Sequence, residues 1–218
     1  MVILFHSRVQ LQSRPDAIEV NGVVMSQTAV RALQQPVSQH GFADMLSADD
    51  FKSAFRNHPA GVAVITADIG AGPVGLTATS VISVSSNPPL VVFSLSSASS
   101  STPTVKQAET VVIHLLGADQ IGLAKNFATS GIDRFADAAI WSRLISGEPY
   151  LPSSNAWMRG RIVNQMDAGD STVVAVQILQ VDLPGEAGRT AQESRPLVYH
   201  NRTWHSLSET SVVDGNLG

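Results

Sequence analysis

The 218-residue chain contains no cysteine. This absence excludes disulfides, thiolate-ligated zinc or iron–sulfur sites and a cysteine nucleophile, and it suits a cytoplasmic location. Charge is also sparse: 14 basic and 18 acidic residues give a net charge of −4. A chain of this kind presents no concentrated positive field, which argues against nucleic acid or an anionic membrane surface as the partner. We therefore expect a small-molecule ligand.

Long hydrophobic runs are missing as well. No window approaches the roughly 20 apolar residues of a membrane-spanning helix, and the opening run 1–5 is too short for a signal-peptide core. Apolar residues nevertheless make up 44% of the chain, enough for one sizeable core. We expect one main domain at 46–208, followed by a tail at 209–218. The preceding extension, 1–45, is poorly periodic apart from a weakly amphipathic segment at 26–33, which predicts partial disorder.

Helix signals are few and local. Phe51 and Phe55 lie one helical turn apart behind a capping-box-like Ser-Ala-Asp-Asp sequence, and Pro59 ends that segment. Thr102 followed by Pro103 is typical of a helix start, with Thr102 as the cap. The three predicted helices cover residues 48–57, 102–108 and 118–129.

Strand signals dominate the rest of the chain. Short segments rich in Val, Ile, Leu and aromatic residues recur at close spacing, and a glycine-containing turn at 68–73 joins the first two into a hairpin. Many short strands with few helices indicate a mainly β protein, an antiparallel barrel that is closed or partly closed. The predicted strands cover residues 61–67, 74–85, 90–95, 110–116, 157–166, 172–181, 197–200 and 203–207.

Small hydroxyl residues follow two of these apolar segments. Residues 75–80 read Gly-Leu-Thr-Ala-Thr-Ser, residues 99–102 read Ser-Ser-Ser-Thr, and no charged residue lies in 75–102. Such side chains let N–H and O–H groups approach a phosphate or an electron-rich ring without steric bulk, and a helix start at Thr102 would favour an anion. Serine-rich runs are often flexible linkers. The position of this run between apolar strands argues for a ligand cradle instead.

Patterns for side-chain catalysis are weak. The histidines lack helical metal-ligand spacing, so no metal site is predicted, and Ser171 lies outside any nucleophile-elbow context. A cofactor-borne reaction fits better, with hydride passing from a nicotinamide to a flavin whose pyrimidine edge faces the N–H groups around Thr79 and Ser80. Five scattered aspartates give little support to a two-carboxylate mechanism: Asp119, Asp133, Asp137, Asp167 and Asp170.

Several sequence blocks occur in a familiar order. The four strongest are Phe55-Arg56 with Pro59-Ala60-Gly61-Val62, the 75–80 turn, Ser83-Val84-Ser85 with Pro88-Pro89-Leu90, and the 99–102 run. Weaker blocks follow at 133–135, 168–170 and 196–199. Over residues 48–208 the chain resembles the short-chain flavin reductase family, the reductase components of two-component aromatic monooxygenases.

This resemblance implies an antiparallel Greek-key split β-barrel with a few short helices, and a homodimer that binds flavin near the subunit interface. It implies an NAD(P)H-dependent reductase that passes hydride to FMN or FAD and supplies reduced flavin to a partner monooxygenase, with no catalytic side chain. For the ring and ribityl chain it implies Thr77, Ala78, Thr79, Ser80, Ser94 and Leu95. It implies Ser99, Ser100 and Ser101 at the phosphate, with Phe127, Arg134 and Phe135 closing the site.

One departure from the family bears on the nicotinamide. The family usually carries histidine after Gly-Asp, where this chain has Ser171. A flavin-binding storage or sensor protein without turnover is therefore an alternative hypothesis. A pyridoxamine-phosphate-oxidase-like enzyme is a third, weakened by the lack of an Arg/Lys phosphate clamp in 75–102. FMN versus FAD and NADH versus NADPH stay open on the sequence alone.

Overall fold

The computed structural model describes residues 17–20, 23–26, 46–183 and 195–213. The chain divides into two compact units, Met1–Ala48 and Asp49–Gly218. In the first unit, β1 (Ala17–Val20) and β2 (Val23–Ser26) form an antiparallel hairpin. The rest of the predicted extension, including residues 27–33 of the amphipathic segment, lies outside the described residues.

From Ala48 onwards, the described residues form three α-helices, two short sheets and one large one. The helices are α1 (Ala48–Arg56), α2 (Thr102–Gln107) and α3 (Ile121–Ala128), and short 3-10 helices cover Ala118–Gln120 and Glu209–Ser211. The strands are β3 (Ala60–Gly61), β4 (Ala63–Ala67), β5 (Val74–Ala78), β6 (Ile82–Ser86), β7 (Pro89–Ser96), β8 (Thr110–Leu115), β9 (Ser142–Arg143), β10 (Pro149–Tyr150), β11 (Ala156–Ala168), β12 (Ser171–Asp182), β13 (Leu197–His200) and β14 (Thr203–Ser206).

The large sheet has seven antiparallel strands in the order β5-β4-β8-β11-β12-β7-β6. Consecutive strands β5 and β6 lie at opposite ends of this order, yet only residues 79–81 separate them. Three residues span at most about 14 Å between the flanking Cα atoms. The sheet must therefore curl until its two ends meet, which produces a barrel split between β5 and β6.

This closure corrects one sequence prediction. A single strand was expected over residues 74–85, but the chain leaves the sheet at Thr79 and re-enters it at Ile82. Val81 and Ile82 are good strand formers, so local propensity favours continuity. Crossing from one sheet end to the other breaks the strand and leaves residues 79–81 in an open turn.

The start of the short helix α2 also differs from the sequence prediction. Thr102 was expected to cap it, but the cap position is Ser101, whose side chain makes no capping bond. The Thr102 hydroxyl instead donates to the Ser96 carbonyl at 2.7 Å, which fastens the start of α2 to the end of β7. The third predicted helix, over residues 118–129, is a 3-10 turn followed by α3.

Two hydrophobic clusters share strand β4, which is buried on both faces. Ile65 points into the barrel cluster with Phe93 and Ile113, whereas Val64 points into a second cluster with Phe127. Because alternate strand residues face opposite sides, β4 carries both cores. The second cluster packs α3 against the barrel wall.

The three-stranded sheet β14-β13-β3 joins the barrel through three backbone hydrogen bonds. Val62 N–H donates to Leu197 O, Leu197 N–H to Leu116 O and Leu116 N–H to Val62 O, each at 3.1 Å. This ring of bonds fixes the β13–β14 hairpin beside the barrel mouth. The predicted mainly β, antiparallel split-barrel fold is confirmed.

Candidate functional site

A cavity of about 420 Å³ lies beside the ends of β5 and β7. Its only charged lining residue, within the described chain, is Arg134. Serine and threonine side chains make up much of the remainder, so the cavity offers hydroxyl and N–H donors without a carboxylate to repel an anion. Eight of the residues predicted for the flavin line it, namely Thr77, Ala78, Thr79, Ser80, Ser94, Ser99, Phe127 and Arg134, and so does Ser171.

Four predicted residues lie elsewhere. Leu95 is fully buried in the barrel core, because it points away from the face on which Ser94 lies. Ser100 is exposed on the surface. Ser101 is buried and donates to Gly75 O at 2.8 Å, so it supports the cavity wall. Phe135 packs edge-on against Phe127 with ring centroids 5.2 Å apart, in the second core cluster.

The turn between β5 and β6 supplies free backbone donors. The Ser80 hydroxyl accepts from Ser94 N–H at 2.9 Å, which holds this turn against β7. Within the described part of the chain, the N–H groups of Thr79 and Ser80 donate to no protein group. Donors fixed in this way can face an electron-rich ring edge that gains negative charge on reduction.

Thr77 has a structural role in this arrangement. Its hydroxyl donates to the Ala124 carbonyl at 2.7 Å and ties β5 to α3. That bond occupies the one proton of the hydroxyl, so Thr77 contributes to a ligand only its carbon surface and oxygen lone pairs.

Arg134 joins three segments at the edge of the cavity. Its Nε donates to Thr129 O at 3.1 Å, and its Nη1 donates to Gly75 O and Ser101 Oγ, both at 3.0 Å. Its Nη2 donates to no group of the described chain, which leaves protons for an anion in the cavity. A guanidinium held in one orientation suits a phosphate well.

Another cavity, of about 600 Å³, lies along α3 and is also lined by Arg134. Asp119, Asp133 and Asp137 line it, and carboxylates disfavour a phosphate. Arg134 therefore borders both a hydroxyl-lined cavity suited to anions and an acidic one that is not.

Comparison with known proteins identifies the family to which this chain belongs. The model of the flavin reductase like domain matches residues 55–208. The chain belongs to the flavin reductase family. It is 44% identical to the NADH:FMN oxidoreductase of Rhodococcus qingshengii over 160 residues, 73% of this chain and 82% of that protein. The predicted family and oxidoreductase class are confirmed.

Two further members extend this likeness. The chain is 28% identical to the reductase component of a 4-nitrophenol 4-monooxygenase/4-nitrocatechol 2-monooxygenase from Rhodococcus opacus, over 68% of this chain and 78% of that protein. The crystal structure of a flavin reductase domain protein from Arthrobacter sp. FB24 superposes with a TM-score of 0.69 and 30% identity, covering 78% of this chain and all of that one.

Sequence reasoning missed five residues that line this cavity, two of them with hydroxyl groups, Ser96 and Ser130; the others are Leu76, Ala98 and Ala128. Ser96 lies two residues after Ser94 and therefore shares its strand face, so period-two spacing could have found it. Ser130 follows α3, and no local pattern distinguishes it from an ordinary helix-end serine.

Groups with shifted pKa values lie outside this cavity. Burial lowers the pKa of His114 to about 4, although its bond to Val64 O opposes that shift. Burial alone would raise the pKa of Glu148, but hydrogen bonds from Arg159, Ser146 and Thr110 outweigh it and lower the pKa to about 2. Both groups are structural: Nδ1 of His114 donates to Val64 O at 2.9 Å and its Nε2 accepts from Leu151 N–H at 3.0 Å.

No described helix is long and apolar enough to cross a membrane.

Proposed function

We propose that this protein oxidises NADH, reduces FMN and supplies the reduced flavin to a partner monooxygenase. This proposal rests mainly on the cavity at the end of β5, which combines free N–H donors at Thr79 and Ser80 with one oriented cation, Arg134. The N–H donors suit the ring edge of a flavin, and the Arg134 guanidinium suits its phosphate. The name of the Rhodococcus qingshengii relative supports NADH and FMN, and that of the Rhodococcus opacus relative supports a partner oxygenase.

The residues of the chain bind and orient rather than move protons. When bound, the flavin supplies the hydride acceptor and the nicotinamide the hydride donor. The N–H groups of Thr79 and Ser80 would hold the electron-rich edge of the flavin ring, and Ser94 and Ser99 would hold its ribityl and phosphate side. Among the described residues, no histidine, lysine or carboxylate side chain lines the cavity, so the proposed reaction relies on none of these as an acid or base. Leu95, Ser101 and Phe135 support the walls instead, whereas Ser100 is exposed on the surface.

We also propose a homodimer. Large exposed apolar side chains lie on three strands of the main sheet: Ile82 and Val84 on β6, Val163 and Met166 on β11, and Leu179 and Val181 on β12. Exposed apolar side chains repeated along one sheet suit a surface that is covered in an assembly. Sedimentation velocity on the wild type tests the dimer, and Met166→Glu is expected to shift it towards the monomer.

The reductase domain is proposed to span 46–208, because every residue that lines the cavity falls between 76 and 171. The extension 1–45 and tail 209–218 then lie outside the chemistry. A cytoplasmic location also belongs to the proposal, because a cysteine-free chain suits a reducing compartment.

The proposal is tested by measuring steady-state oxidation of NADH and NADPH, followed by the nicotinamide absorbance, with and without FMN, FAD or riboflavin. Turnover that depends on added FMN and prefers NADH is expected. Stoichiometric flavin binding without turnover would instead favour the storage or sensor protein, which Ser171 in place of the family's usual histidine motivates. A protein that neither binds nor reduces flavin would refute both.

A further inference from the structure

A groove of about 750 Å³ adjoins the flavin cavity, and both are lined by Thr79 and Ser80. One wall is α1 and another is the β13–β14 hairpin. We call it the α1 groove, defined by Phe51, Phe55, Arg56, Tyr199, His200 and Arg202. The Phe51 and Phe55 rings lie 4.8 Å apart and remain 54% and 59% exposed. The groove is therefore an open aromatic surface that continues from the flavin cavity.

Arg202 adopts an unusual backbone conformation in this groove. The two-residue turn between β13 and β14 places Asn201 at φ 47° and Arg202 at φ 61°. Such a turn strongly prefers Asn-Gly, because glycine alone adopts positive φ freely at the second position. Backbone strain of this kind concentrates at functional sites. The chain therefore keeps an arginine where local preference calls for glycine.

Charge in the groove is of one sign. Lys52, Arg56 and Arg202 line it, and no carboxylate among the described residues does. Lys52 has an exposed partner in Asp49 at 3.7 Å, whereas Arg56 and Arg202 form no salt bridge with any residue the structure describes. This excess of cations stands out in a chain of net charge −4. An apolar surface edged by unpaired guanidinium groups suits a ligand with rings and phosphates.

The hairpin tip is also held in place. Asn201 N–H donates to Arg56 O at 3.0 Å, and His200 Nε2 lies 3.2 Å from Asn57 Oδ1. These contacts bind the end of α1 to the turn that carries Arg202. Both arginines are thus presented from fixed backbone at the same edge of the groove.

We infer that the α1 groove binds the pyrophosphate and adenosine of the dinucleotide hydride donor, with Arg202 as the anion-binding residue. This inference rests on the proposed function. A nicotinamide stacked on a flavin ring beside Thr79 and Ser80 leaves the remainder of the dinucleotide next to the groove. Arg134 then serves the flavin phosphate and Arg202 the donor pyrophosphate, so the two anions occupy separate sites. Phe51 and Phe55 offer ring faces to the adenosine.

The test variant is Arg202→Gly, which removes the cation and relieves the turn, so the fold is not endangered. Loss of a charge-assisted contact should raise the KM for NADH about tenfold. The value of kcat and the Kd of FMN, from quenching of flavin fluorescence, should stay within about twofold. Arg202→Lys should recover part of the loss. Arg161→Gln, at an exposed arginine of β11 that lines neither the groove nor the flavin cavity, should leave KM unchanged.

A binding experiment separates this inference from the proposed function. ADP-ribose carries the pyrophosphate and adenosine but no nicotinamide, and calorimetry with FMN-loaded protein should show about tenfold weaker ADP-ribose binding in Arg202→Gly than in wild type. If the wild type shows no NADH turnover but the variant still loses ADP-ribose affinity, the reductase proposal fails and the groove assignment stands. If the wild type turns over NADH and Arg202→Gly leaves both the KM for NADH and the ADP-ribose affinity unchanged, the groove assignment is overturned. The assignment is also overturned if Arg202→Gly changes only the dimer dissociation constant, because the groove would then be a contact between copies of the chain.

Discussion

The Phe127 ring occupies the space that a side chain on Gly75 would need. A Cβ atom built on Gly75 would lie 2.6 Å from Phe127 Cε1 and 3.2 Å from the Ile65 carbonyl oxygen. The carbonyl of the same glycine accepts hydrogen bonds from Ser101 Oγ and Arg134 Nη1. Gly75 is therefore the point at which α3, the barrel and the flavin cavity meet.

Gly75→Ala should lower the free energy of unfolding by about 1–3 kcal/mol, because the added methyl overpacks against Phe127. Displacing that ring, which lines the cavity, should also weaken FMN binding. Urea denaturation and flavin titration measure the two effects. The matched control is Gly122→Ala within α3, where nothing lies within 4 Å of the new Cβ. It should stabilise the protein by about 0.5–1 kcal/mol. Equal stability of the two variants would contradict the packing described here.

Thr79→Trp should abolish FMN binding and leave the unfolding free energy within about 0.5 kcal/mol of wild type, because Thr79 is exposed and faces the cavity. The opposite pattern is expected for Thr77→Val, which removes the hydrogen bond to Ala124 O and should cost about 1 kcal/mol of stability with little change in FMN affinity. Flavin titration and urea denaturation of both variants check this. Unchanged FMN affinity in Thr79→Trp would refute the placement of the ring.

Arg134→Ala should weaken FMN binding by about 1–3 kcal/mol if the guanidinium contacts the phosphate. Riboflavin has no phosphate, so its affinity should change much less. Titrating both flavins therefore separates a phosphate contact from loss of the bonds to Thr129 O, Gly75 O and Ser101 Oγ. An equal loss for FMN and riboflavin would reduce Arg134 to a structural role.

Acid should destabilise the fold first through His114. Its folded-state pKa of about 4 lies below the ordinary value of 6.5, so the unfolded chain binds the extra proton more readily between those pH values. The contribution of neutral His114 to the free energy of unfolding is complete above pH 6.5. The free energy of unfolding should fall by on the order of 3 kcal/mol as the pH drops to 4. Urea denaturation at pH 7, 5.5 and 4 measures this.

Glu148 provides the control for that titration. Its pKa is lowered from 4.5 to about 2, so its contribution to stability is present above pH 4.5 and is lost only below it. Glu148→Gln should therefore keep the loss between pH 6.5 and 4.5. Constant wild-type stability across that interval would contradict a neutral, buried His114.

Much of the fold could be predicted because its signals are local. Apolar runs of about six residues gave strands such as β7 and β8 nearly to the residue, and Pro59 predicted the end of α1 to within a turn. The break at Thr79 could not be predicted in the same way. It follows from barrel closure, which joins the two ends of a seven-stranded order and is invisible in a short window.

The site shows the same division. Hydroxyl residues at strand ends predicted where a ligand cavity would form, but the direction of each side chain depends on partners far away in sequence. Ser101 bonds to Gly75, and Thr77 bonds to Ala124. Arg202 belongs to the groove only because the β13–β14 hairpin packs beside α1, and no pattern near residue 202 indicates that neighbour.

The hydroxyl groups of Thr77, Ser101 and Thr102 each donate to a backbone carbonyl of the protein itself. The walls of the flavin cavity are consequently preorganised, and a flavin that enters loses its own freedom without ordering the chain around it. Departure then requires no unfolding of the walls, and the dissociation rate depends only on the contacts made with the flavin. Release without rearrangement of the walls suits the proposed delivery of reduced flavin to another enzyme.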